Sequence, residues 1–173
     1  MSMVDDIYQE LQELNQLTGQ NCETIFQIRS IPSQILLTHG KGILYLSGRS
    51  ILSLYKQYKI DHLISLTPLQ NILPDIQHDI LEIDDNSNPE NLQKLENNMT
   101  NILENIYKSI IEGNVVCVHC NAGVSRSVTL VIAYLMKYDK LTWYDALKQV
   151  QHVRPVICPN RGFLQLLSNL TFK

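Results

Sequence analysis

The chain is sparing with the residues that punctuate or cross-link a fold: seven glycines, six prolines, four cysteines and one tryptophan among 173 residues. The cysteines, Cys22, Cys117, Cys120 and Cys158, are too few and too unevenly spaced for a disulfide framework, so a reducing, intracellular compartment is expected. Positive charge is short as well. Fourteen Lys and Arg against 17 Asp and Glu leave a formal net charge of −3, without the basic surface that nucleic acid selects. Any affinity for a polyanion must come from a local site. Long apolar runs are also missing: Val128 to Met136 is interrupted by Thr129 and stops at Lys137, far short of the ~20 residues a membrane-spanning helix needs. The start, Met-Ser-Met-Val-Asp-Asp, fits neither a secretory signal nor a myristoylation motif. Without a signal, the glycosylation sequons at Asn98 and Asn169 read as chance. What remains, 45 % hydrophobic and 18 % charged, is ordinary for one globular domain with a sufficient core of its own.

Ile7, Leu11, Leu14 and Leu17 recur at helical spacing and predict an amphipathic helix over residues 4–18. Strands are expected at Gln34–Leu37, Ile43–Leu46, His62–Leu66 and Asp79–Ile83, with a helix at Ser50–Tyr58. A polar loop, Asp84 to Pro89, leads to the longest helical pattern, Glu90–Ile111, whose apolar face closes at Gly113. Val115–His119 is a compact apolar strand, followed by a turn and an apolar helix over Ser125–Tyr138. Thr142 caps a helix that Pro155 breaks, and Asn160 caps the last one. Alternating strands and helices predict an α/β domain whose central, mostly parallel mixed sheet of about five strands is flanked by helices. Residues 1–25 read as an N-terminal helical extension and 26–173 as the main domain. In such sheets ligands bind at the carboxyl ends of strands, which directs attention to the turn after His119.

That turn holds the chemistry: His119-Cys120-Asn121-Ala122-Gly123-Val124-Ser125-Arg126-Ser127. Successive backbone N–H groups of Asn121, Ala122, Gly123, Val124 and Ser125 can face inward as an anion nest, reinforced by the positive end of the following helix. Arg126 adds a planar fork matched to two phosphate oxygens. The same field favours a thiolate at Cys120, where such settings lower a cysteine pKa from ~8.5 into the range ~3.5–7.5. A nucleophile beneath a phosphate cradle is a phosphoryl-transfer site. Cys117 and Cys120 also spell C-x-x-C, a redox or zinc pattern, but Cys117 lies inside the strand and no second pair stands at zinc-finger spacing.

His-Cys-x5-Arg-Ser resembles the active-site loop of the cysteine-based protein phosphatases, and Gly123 to Ser127 looks most like the dual-specificity branch. The resemblance covers about residues 34–171. It includes Gly42 to Ser47, Ile60 to Thr67, Arg154-Pro155 and Pro159 to Phe163, and is closest to the small atypical members. It implies a protein-tyrosine-phosphatase-like fold and hydrolysis of phosphotyrosine and phosphoserine or phosphothreonine through a cysteinyl-phosphate, with no metal and no cofactor. By that resemblance Cys120 is the nucleophile and Arg126, with the residues 121–125, binds the phosphate. Ser127 eases thiolate departure, while His119 and Asn160 support the loop. The family's acid stands two residues beyond the strand's last apolar residue, which from Ile83 selects Asp85 over its neighbour Asp84; Asp75 and Asp79 are weaker alternatives. Arg154 and Arg161 read as surface arginines, with a place beside the pocket as the alternative. Cys22 or Cys158 could pair reversibly with Cys120.

The neutral loop positions favour phosphoprotein over lipid or RNA phosphate; Asn121 to Val124 also resembles the loop of the family's glucan phosphatases, which is set aside because the sequence shows no carbohydrate-binding module. The expected partner is therefore a phosphoprotein, with no nucleic acid and no membrane. The expected compartment is the cytoplasm, with the nucleus also open to it. The rival of another class is a phosphate-binding pseudophosphatase, which typically lacks the cysteine or the arginine that both stand here.

Overall fold

A computed structural model describes residues 2–19 and 27–172. Five strands form one sheet in the order β1-β2-β5-β3-β4: β1 (Ser33–Ile35), β2 (Ile43–Ser47), β3 (His62–Ser65), β4 (Gln77–Ile80) and β5 (Val115–His119). Only the β1–β2 pair is antiparallel, and β2, β5, β3 and β4 run parallel. The expected mixed, mostly parallel sheet is what forms. Alternation along the strands sends Leu44, Leu46, Ile64, Val116 and Val118 to one face and Leu63 and Cys117 to the other. The first face carries the main core, covered by α1 (Met3–Gly19), α3 (Pro89–Glu112), α4 (Arg126–Tyr138), α5 (Trp143–Val153) and α6 (Arg161–Asn169). The second is covered by the short α2 (Ile51–Leu54) and the turns after it.

The long helix α3 forms where its caps and periodicity predict. Pro89 opens it, Asn88 accepts a hydrogen bond from the Glu90 N–H at 3.0 Å, and Gly113 closes it at φ +95°. Leu95, Met99, Ile102, Leu103, Ile106 and Ile110 face the core. Thr142 caps α5 through the Asp145 N–H, and Asn160 caps α6 through the Phe163 N–H.

Two elements depart from expectation. The helix expected to Tyr58 ends at Leu54, because the chain turns back through Lys59 at φ +52° to seat Ile60 in the second cluster. The strand expected at Asp79–Ile83 ends at Ile80, which is exposed; Leu81 and Ile83 are the buried residues. Asp79 turns inward instead. It accepts from His62 and Asn105, while the other nitrogen of His62 meets Ser109 at 2.8 Å, joining β3 and β4 to α3. Asp79 is thus occupied structurally, and Asp75 lies in an exposed turn at φ +64°. The 25/26 boundary and Cys22 lie outside the described residues.

Candidate active site

The turn after β5 is a nest whose backbone is tied down one carbonyl at a time. The Cys120 carbonyl accepts from His119 Nδ1 at 3.2 Å, and that of Asn121 from the Arg49 N–H at 2.9 Å. The carbonyls of Ala122 and Gly123 accept from Arg154 at 3.2 and 2.7 Å. The Val124 carbonyl takes the Cys158 N–H at 2.8 Å, and the Ser125 carbonyl takes Thr129 in α4. With every carbonyl from 120 to 125 engaged outward, the N–H groups are left to the interior of the turn, the arrangement that receives an anion. Gly123 makes the turn possible. It stands at φ +65°, and a Cβ there would come within 2.5 Å of the Ser47 backbone.

Cys120 sits at the floor of the nest, 2 % exposed. Its Sγ accepts from the Gly123 N–H at 3.3 Å and lies 3.2 Å from Ser127 Oγ. Burial alone would raise the thiol. The Ser127 hydroxyl and the N–H groups of Ser127, Gly123 and Val124 outweigh it, so the pKa is lowered. Cys117 is the opposite case: burial without such donors raises it strongly, and it packs with Ile51, Ile60 and Leu63. The two sulfurs of the C-x-x-C pattern therefore belong to different clusters on opposite faces of the sheet. His119 is wholly buried, and desolvation lowers it to about 4, so the ring under the nest is neutral.

Arg126 begins α4. Its Nη1 donates to the Ile83 carbonyl at 3.0 Å, while its buried Nε has no hydrogen-bond partner among the described residues. Across the opening stands the loop after Ile83. Asp85 Oδ1 accepts from Ser125 Oγ at 2.6 Å and from Asn160 Nδ2 at 3.0 Å, and Oδ2 is 3.8 Å from Arg126 Nε. Asp84 is held through its backbone, clamped by Asn91 at 2.9 and 2.7 Å, and the residue lines a cavity of about 350 Å³ with Arg126, Pro68, Glu82 and Lys94. Of the two aspartates, Asp85 is joined to the nest.

Three features escape sequence reasoning. Arg154 is not a surface arginine: it is 0 % exposed and joins the nest to the carbonyls of Ile28, Arg29 and Ile31 and to Ser33 Oγ. Burial lowers it to about 10, so it stays charged at neutral pH. The Arg-Pro dipeptide was the only sequence signal, and it carries no information about burial. Ser125, expected only to offer its amide to phosphate, also bridges the two loops. It donates to Asp85 and accepts from the Asn160 N–H at 3.1 Å. Asn160 both caps α6 and holds Asp85. Arg161 is a surface residue, paired with Asp5.

This strand, nest and helix can receive a phosphate group beside a thiol. Residues 43–171 match the model of the dual specificity phosphatase catalytic domain, and the chain belongs to that family. Dual specificity protein phosphatase 1 of Arabidopsis thaliana is 32 % identical over 143 residues, spanning 82 % of this chain and 69 % of that protein. Dual specificity protein phosphatase 19 of Mus musculus is 47 % identical over 64 residues, which is 37 % of this chain and 29 % of that protein. Among solved structures, DUSP15 superposes with a TM-score of 0.69 at 30 % identity, covering 79 % of this chain and 85 % of that one. The human tyrosine phosphatase-like serine/threonine/tyrosine-interacting protein superposes with a TM-score of 0.63 at 29 % identity, covering 78 % and 92 %. Among the described residues no helix is long and apolar enough to cross a membrane.

Proposed function

We propose that this phosphatase hydrolyses phosphotyrosine and phosphoserine or phosphothreonine in proteins through a cysteinyl-phosphate at Cys120. The observation that carries the reading is the buried, hydrogen-bonded Cys120 sulfur at the floor of a nest closed by Arg126. The thiolate attacks phosphorus while Arg126 and the amides of residues 121–125 hold the equatorial oxygens. The P–O bond to the leaving alcohol breaks, and Asp85 supplies its proton. Asp85, now a carboxylate, takes a proton from water, whose oxygen attacks the phosphocysteine. Ser127 stabilises the departing thiolate, and inorganic phosphate leaves. His119 and Asn160 support the nest and the acid. No step calls for a metal or an organic cofactor.

Neutral residues at the variable loop positions support a phosphoprotein substrate, and with it a signalling role. A pseudophosphatase reading is disfavoured because both Cys120 and Arg126 are present. The test is chemical trapping. Acid quenching during turnover of an aryl phosphate should leave a phosphorylated Cys120 peptide visible by mass spectrometry. Cys120→Ser should give no such peptide and lose turnover by more than about 10⁴-fold, while still binding vanadate. Turnover of Cys120→Ser within tenfold of the parent would overturn the assignment.

A further inference from the structure

The segment from Arg154 to Arg161 serves both sides of the site with its inner edge. The Cys158 N–H meets the nest at Val124, the Asn160 N–H meets Ser125 Oγ, and Asn160 Nδ2 meets Asp85. Asn160 has little freedom of its own. Its Oδ1 accepts from the Phe163 N–H at 3.0 Å and from Ser87 Oγ at 3.2 Å, so the amide points where the backbone at 160 points it. That backbone is held on the inner edge by Ser125 and Val124 and on the outer edge by α1.

Two polar ties join α1 to the segment, on either side of Asn160. Asn15 Nδ2 donates to the Ile157 carbonyl at 3.2 Å. Arg161 closes on Asp5 Oδ1 with Nε at 2.7 Å and Nη2 at 2.6 Å. Val4, just before the first tie, and Ile7 and Leu11 between the two are buried in the main core, and Glu10 pairs with Lys148 of α5 at 2.9 Å. Apolar contacts seat the helix without dictating its rotation or slide to a fraction of an ångström. The directional ties do that, and they fall on the residues flanking the one that holds the acid. An exposed ion pair adds little to global stability. A shift of an ångström at a catalytic group, by contrast, can cost ~10²-fold in rate.

We propose that α1 is part of the catalytic apparatus at one remove: Asp5 and Asn15 are positioning residues that fix segment 157–161 so that Asn160 presents Asp85 to the leaving oxygen. The proposal rests on the reading of Asp85 as the general acid. Its signature is therefore dependence on the leaving group, since an ester with an acidic leaving alcohol departs without a proton and is indifferent to where the acid stands.

The experiment compares the full chain, Asp5→Ala/Asn15→Ala and Asp85→Asn across aryl phosphates of graded leaving-group basicity. It reads kcat/KM, the melting temperature and the rate of Cys120 alkylation. The double variant is expected to lose roughly tenfold on the most basic leaving group, a part of the 10²–10⁴-fold typical of general acid catalysis, and less than about twofold on the most acidic. Alkylation of Cys120 should be unchanged, and Asp5→Glu with Asn15 intact should restore the parent slope. Asp85→Asn should be steeper still. A uniform loss across the series, or none, with Asp85→Asn steep, would show that α1 only stabilises the fold and overturn the proposal. A flat series for Asp85→Asn would instead overturn the acid assignment, and the proposal with it.

Discussion

The two loops that meet over Cys120 are held in different ways. The nest, residues 120–125, is fixed through its main chain: each carbonyl has a donor, and those donors come from β2's following turn, from Arg154, from Cys158 and from the next helix. The acid loop, residues 84–88, is fixed by side chains. Asn91 clamps Asp84, Ser125 and Asn160 hold Asp85, and Ser87 accepts the Gly162 N–H at 3.0 Å. Cys120, Gly123 and Ser125 of the nest are buried and Gly123 tolerates no Cβ, whereas residues 84–88 are exposed. Electrostatic stabilisation of a transferring phosphoryl group works best when the donors are in place before the charge develops. The proposed acid is held instead by individual side-chain hydrogen bonds of about 0.5–1.5 kcal/mol each, so its placement depends on a few distant residues. Main-chain and side-chain anchoring are divided between two segments of one opening.

That division is broken most severely from the acid side. Asp85→Asn should cost 10²–10⁴-fold on esters with basic leaving groups, in the range typical of general acid catalysis, and far less on esters with acidic ones. Asp84→Asn, on the cavity wall, should leave both nearly intact. If Asp84→Asn alone shows the leaving-group-dependent loss, the acid is one residue away.

On the nest side, Gly123→Ala must strain a φ of +65° and push against Ser47. It should cost roughly 10²–10³-fold, as losing a preorganised donor does, and lower unfolding free energy by about 1–3 kcal/mol. The contrast lies in the pattern: its loss should be the same for every leaving group, since the nest holds the phosphoryl oxygens of all of them. A leaving-group-dependent loss in Gly123→Ala would erase the distinction between the loops.

An effect confined to acid pH, and on stability alone, comes from beneath the nest. Neutral His119 has a folded pKa near 4 against 6.5 for the free side chain. As pH falls from 6.5 to 4 the unfolded chain takes up a proton that the folded one refuses. Stability should therefore drop by about 3 kcal/mol across that window and be indifferent to His119 above it. Denaturant unfolding against pH would show this drop in the parent and in Asp85→Asn alike, and its loss in His119→Gln.

Much of the nest is legible in the sequence because its parts are consecutive: nine residues from His119 to Ser127 carry nucleophile, turn, cation and hydroxyl. The proposed acid is legible only to within a residue, since Asp84 and Asp85 are chemically alike. What distinguishes them, Ser125 and Asn160, stands 40 and 75 positions away. The same distance hides Arg154, whose partners lie at 28–33 and 122–123. The bounds of β4 are hidden for a related reason: a strand over 79–83 is expected, but it runs over Gln77–Ile80, with Asp79 joined to His62 and Asn105.

By itself, then, the sequence determined what short-range physics governs. Apolar spacing set the helices, Asn88, Thr142, Asn160 and Gly113 set their ends, and the run after Val118 set a nest at a strand's carboxyl end. Only the tertiary structure decided which distant side chains converge on that nest and how α1 docks. The reason is directional. Hydrophobic periodicity says which face of an element is buried, but hydrogen bonds between a guanidinium, an amide and a carboxylate require particular atoms about 3 Å apart, and no local pattern of residues encodes that coincidence.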